Sequence, residues 1–173
     1  NDAMTANTTG AASVAVGAFA LDGNTTAGYN TAVGYTALSA ANTGSYNTAV
    51  GHQAMLSNTG GASNTAVGNA ALAYATTGSN NTAVGANALD ANTSANNGTA
   101  VGHNALGANT TGASNTAVGK TALAANTTGA QNTAVGLEAG AAVTTATYND
   151  FFGFRAGDVT TTGGNNVGIG SNS

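Results

Sequence analysis

Glycine stands at every seventeenth position from Gly17 to Gly170, and an apolar residue precedes each one. That preceding column holds Val16, Val33, Val50, Val67, Val84, Val101, Val118 and Val135, then Phe152 and Ile169, and it is never polar. Five residues further on, a second apolar column holds Leu21, Leu38, Met55, Leu72, Leu89, Leu106 and Leu123, with Met4 ahead of them, before it turns to Gly140 and Gly157. An alanine precedes every member of that column from Ala3 to Ala156. No insertion or deletion breaks the register, and the consensus reads Asn-Thr-Ala-Val-Gly-x-x-Ala-Leu-x-Ala-Asn-Thr-Thr-Gly-x-x.

A period of 17 residues is too short for the usual two-helix repeat, and the glycine after each valine together with the abundant Thr and Asn disfavours a helix. Disorder would give no reason to keep an apolar column in register along the whole chain. The pattern predicts an all-β fold, a β-solenoid or β-roll of ten stacked 17-residue coils. One short strand is expected at each Thr-Ala-Val and another near Ala-Leu. Because side chains alternate along a strand, Thr and Val share a face, and the variants Val14/Val16 and Val167/Ile169 suggest that this face points inward. The structural core is then the valine column with Phe152 and Ile169, together with Leu21, Leu38, Leu72, Leu89, Leu106 and Leu123.

Asn-Thr-Thr-Gly carries turn chemistry, as in Asn7–Gly10, Asn109–Gly112 and Asn126–Gly129. The Asn ahead of Thr-Ala-Val recurs at Asn30, Asn47, Asn64, Asn81, Asn115, Asn132, Asn149 and Asn166, a spacing that predicts an amide ladder between coils. Residues 1–136 form the regular array. Residues 137–173 form variant coils continuing the same solenoid, in which Leu137, Phe151, Phe152 and Phe154 restore the volume lost at Gly140 and Gly157. Tyr148, Phe151, Phe154 and Arg155 are candidates for an interface.

Composition narrows the function. Forty Ala, 29 Thr, 26 Gly and 24 Asn leave only two basic and six acidic residues, so the net charge of −4 reflects scarcity and offers no basic patch for nucleic acid. The chain lacks Cys and Pro, which excludes disulfides, thiolate metal sites and PxxP ligands. It contains no apolar run long enough for a membrane-spanning helix. Its ends fall inside the repeat, as expected for a stretch of a longer array or a subunit that continues into its neighbours.

Candidate chemistry is sparse. Asp22, Asp90 and Asp158 share one position of the repeat, but four coils at about 4.8 Å each separate neighbours in that set, beyond the reach of a catalytic pair. His52 and His103 are three coils apart, too far to share a metal. Neither a Gly-x-Ser-x-Gly element nor a phosphate loop occurs, and the turns carry Asn or Thr where calcium-binding repeats need Asp. No catalytic, cofactor or metal residue is assigned. Sequons at Asn7, Asn24, Asn80, Asn92, Asn97, Asn109 and Asn126 follow from a composition rich in Asn and Thr.

Repeats of Asn-Thr-Ala-Val-Gly-x-x-Ala-Leu followed by Asn-Thr-Thr-Gly resemble those of tail-fibre-like proteins of phages and bacteria, and Asp150–Gly157 resembles a second repeat type in them. More distantly, Ser13–Gly17 resembles the head repeats of trimeric autotransporter adhesins, which form a three-chain left-handed roll. The resemblance implies a non-enzymatic fibre or filament shaft outside the cell, on its surface or on a virion. In that role the segment is a rigid spacer in attachment, self-associating as a trimer or end to end. Any host glycan or receptor would be met by parts outside this segment. A self-assembling filament subunit is one alternative; an ice-binding solenoid is another, set back because the paired threonines such as Thr76-Thr77 do not form a regular Thr-x-Thr array.

Overall fold

The structure is a computed structural model that describes residues 2–40 and 42–173. Its ten three-residue strands are β1 (Val14–Val16), β2 (Thr31–Val33), β3 (Thr48–Val50), β4 (Thr65–Val67), β5 (Thr82–Val84), β6 (Thr99–Val101), β7 (Thr116–Val118), β8 (Thr133–Val135), β9 (Asp150–Phe152) and β10 (Val167–Ile169). They form one parallel sheet in sequence order, and every strand pairs with the next at an offset of 17 residues. The molecule is an all-β solenoid, and the variant coils continue the stack in the same register.

Among the described residues only one strand forms per coil. The expected second strand at Ala-Leu is a turn, because Leu38 lies at φ 51° and Thr36 at φ 51°, and the whole leucine column shares this left-handed backbone. Extended strand geometry requires negative φ. Coil still bonds to coil there, with Leu38 N–H donating to Ala54 C=O at 2.9 Å and Leu106 N–H to Ala122 C=O at 3.0 Å. A left-handed residue other than glycine costs about 1–2 kcal/mol. Burial of the leucine side chain, worth roughly 1.5–3 kcal/mol, offsets it. Leu21, Leu38, Met55, Leu72, Leu89, Leu106 and Leu123 are all fully buried.

The faces of the strand are reversed from the sequence expectation. Ala32, Ala49, Ala66, Ala83, Ala100, Ala117 and Ala134, at the centres of β2 to β8, are fully buried, whereas the Thr and Val on either side point outward. Val16, Val67, Val84, Val101, Phe152 and Ile169 are exposed, and Val33, Val50, Val118 and Val135 are only half-buried, so the valine column is not the core. The reason is thickness. Leucines from the opposite wall occupy the interior, and close packing leaves room for no more than a methyl group on the strand wall. Valine is the more hydrophobic residue, but its volume does not fit.

Glycine after the valine is a backbone requirement. Gly34 has φ 137°, and a Cβ there would lie 2.6 Å from the carbonyl carbon of Gly51 in the next coil. The same approach recurs at each step from Gly17 to Gly153, which accounts for the unbroken glycine period.

Two columns of asparagine seal the interior. In the first, Asn47, Asn64 and Asn81 each donate a backbone N–H to the side-chain Oδ1 of the Asn one coil earlier, at 2.9 Å. Their side-chain Nδ2 groups reach a carbonyl of the following coil, at Gly61, Gly78 and Ala95. The second column consists of turn asparagines, whose amides close the turn instead of facing solvent: Asn58 Nδ2 donates to Gly61 C=O at 2.9 Å and Asn126 Nδ2 to Gly129 C=O at 2.9 Å. It also links coils, since Asn126 Nδ2 donates to Asn109 Oδ1 at 2.8 Å. Buried amides favour pairing, which accounts for the recurrence of Asn in these columns, interrupted by Gly98 in the first and by Ala75 and Val143 in the second.

Candidate functional site

Among the described residues no cavity opens, and no three His, Cys, Asp or Glu side chains come together. The aspartates sharing one position remain on separate coils. The Asp90 carboxyl is held above its ordinary range: desolvation by burial raises it, and hydrogen bonds from the backbone N–H groups of Ala91 and Asp90 oppose the rise. His52 stacks on Tyr35 at 5.5 Å between ring centroids, and its Nδ1 lies 3.0 Å from Asn69 Nδ2.

The aromatic residues of the variant coils divide. Phe151, the central residue of β9, is buried and takes the place that alanine holds in the earlier strands, so it is a core residue and not an interface candidate. Phe152, expected in the core, is 41% exposed because it occupies the outward valine position. Leu137 and Phe154 are also exposed, so of the four large residues expected to refill the core only Phe151 does so. Tyr148 is exposed. Arg155 pairs with Glu138 one coil away at 2.5 Å and lies over the Phe154 ring, 5.1 Å from its centroid. Four of the sequons, at Asn24, Asn92, Asn109 and Asn126, are buried in the second asparagine column and closed to glycans in the folded chain.

What sequence reasoning missed is the outer face of the sheet. With alanine turned in, Thr31, Thr48, Thr65, Thr82, Thr99, Thr116 and Thr133 form an unbroken outward column beside the outward valines. Among the described residues none of these seven hydroxyls has a protein hydrogen-bond partner, and each threonine is partly open to solvent. A second threonine column, on the turn, differs: Thr59, Thr76, Thr93, Thr110, Thr127 and Thr144 each donate their hydroxyl to the backbone carbonyl of the Thr one coil later. The signal for the outer face was the alanine between Thr and Val. It is constant from Ala15 to Ala134 and becomes large, at Phe151, only where the leucine column is glycine.

No protein-family model, curated protein or solved structure matches the chain significantly.

Proposed function

We propose that the chain is a shaft segment of an extracellular, cell-surface or virion-borne fibre, a rigid spacer whose repeats add length without chemistry. The observation that supports this most is the uninterrupted 17-residue register of all ten strands, in which each coil bonds only to its neighbours. Each added repeat lengthens such a rod by one strand spacing, about 4.8 Å. The leucine, alanine and asparagine columns close the interior within one chain, so the rod needs no trimer to bury its core. The likeness of the repeats to tail-fibre-like proteins points the same way.

Solution X-ray scattering from this chain and from a version with four coils duplicated tests the spacer role. The longest dimension should grow by about 19 Å while the cross-section stays constant. A growing cross-section, or an unchanged length, contradicts it. Electron microscopy of the native protein tests the setting: an elongated fibre is expected, and a compact particle would overturn the reading.

A further inference from the structure

We infer that the outward Thr and Val face of the sheet is an ice-binding surface, a function that does not rest on the shaft reading. The face is a grid fixed by the backbone. Thr65, Thr82 and Thr99 repeat at one strand spacing, about 4.8 Å, and within each strand Thr and Val lie two residues apart, about 6.6 Å. Because parallel strand pairing sets both spacings, the side chains do not have to find the pattern for themselves. Each grid point carries methyl groups, and each Thr adds one hydroxyl that can donate and accept.

Two features select the occupant. Among the described residues the strand hydroxyls have no protein partner, and no charged residue lies on this face from β1 to β8; Asp150 in β9 is the first. A lattice of water offers donors and acceptors at regular intervals and carries no net charge, so it can satisfy every hydroxyl while its cages surround the methyls. A second copy fits less well. The three-residue strands give a face about 10 Å wide and about 48 Å long, short of the roughly 800 Å² per partner of a standard interface. A dry contact would also have to pair every hydroxyl across it. The threonines on the turn do not compete for this role, since Thr76 and Thr93 have already donated to carbonyls at 3.0 and 3.1 Å. The regular threonine array lies on the strand column and not among the paired turn threonines such as Thr76-Thr77.

The test is thermal hysteresis and ice-crystal shape, measured on the purified chain against an equal concentration of an inert protein. Hysteresis with faceted crystals is expected. The variant Thr65→Tyr/Thr82→Tyr/Thr99→Tyr should lose most of it with an unchanged circular dichroism spectrum. Thr82→Val, which keeps the shape and removes one hydroxyl, should lose a smaller part. Thr77→Tyr/Thr111→Tyr, on the exposed turn, should retain all of it. The inference is overturned by absence of hysteresis, by loss in the turn variant instead of the strand variant, or by sedimentation showing a stable oligomer that the strand variant dissociates.

Discussion

The coil around β6 and the coil around β9 fill the same interior from opposite walls. In the first, Leu106 enters from the turn and Ala100 and Ala117 line the strand wall. In the second, Phe151 enters from the strand, and the turn positions facing it are Gly140 and Gly157. A Cβ at Gly140 would stand 3.0 Å from the Phe151 ring and 3.0 Å from Leu123, while one at Gly157 would collide with the ring outright. One aromatic side chain therefore occupies the leucine positions of two adjacent coils. The repeat keeps interior volume and turn geometry constant, and which residue supplies the volume is free to change. The asparagine columns differ between the regions too: the second ends at Asn126, with Val143 at the next position, and among the described residues the buried Asn126 Oδ1, like that of Asn24, has no hydrogen-bond partner.

The largest expected effect is at Phe151. Phe151→Ala should cost about 3–5 kcal/mol by opening a cavity across two coils, read as a lowered midpoint in thermal or urea melts. Introducing Gly157→Leu alone should also destabilise, by collision with the ring. Combined, Phe151→Ala/Gly157→Leu restores the regular arrangement and should recover much of the loss, since contacting residues do not add independently. By contrast, Phe152→Ala removes a side chain at an outward position and should cost well under the buried change.

In the regular coils the corresponding contrast is Leu106→Ala, expected to cost about 2–5 kcal/mol, against a small effect of Val101→Ala. The reverse change on the strand wall, Ala100→Val, overpacks the interior and should cost about 1–3 kcal/mol. Denaturant midpoints of the three variants at constant m-value decide these rankings.

Breaking the first asparagine column comes next. Asn132→Ala removes the acceptor at 3.1 Å from the Asn149 N–H and the donor to Ala146 C=O at 2.8 Å. Each buried group left unpaired costs about 1–3 kcal/mol, and faster amide exchange at Asn149 should localise the damage.

The period was legible because glycine recurs without a break from Gly17 to Gly170, and the leucine column because it stays Leu or Met as far as Leu123; the amide ladder followed from a polar residue recurring beside them. The orientation of Thr-Ala-Val was not legible from hydrophobicity, since alternation is compatible with either face and valine outranks alanine as an apolar residue. Volume settles it, and the interior volume depends on how far the leucines reach across the coil. Phe151 shares its aromatic character with Phe152 and Phe154, but its position in the repeat, equivalent to Ala134, separates it from them. The missing second strand has a similar cause: nothing in Ala-Leu announces a left-handed leucine, although Gly140 and Gly157 in the same column occupy the same backbone region at φ 58° and φ 67°.

The smallest expected effect concerns Asp90. Its carboxyl titrates above its ordinary value because burial disfavours the charge, so the folded state holds its proton more tightly than the unfolded state. Stability from this group is present below the unfolded value and is lost as pH rises through the folded one. Asp90→Asn should therefore raise the melting midpoint slightly at neutral pH, with the gain vanishing in acid. Its exchange for Asn tests burial at the flank of the rod, where Glu138 and Arg155, both accessible, should contribute only about 0–1 kcal/mol as a pair.

Because the chain contains no cysteine, a single introduced thiol reports on one position without background. The most direct test of the reversed strand is the rate of thiol labelling in Thr99→Cys, Ala100→Cys and Val101→Cys under native conditions. Cysteine at 99 and at 101 should react readily, while at 100 it should be protected until the coil opens. Protection at 99 and 101 with rapid labelling at 100 would contradict the account and put the valines back in the core.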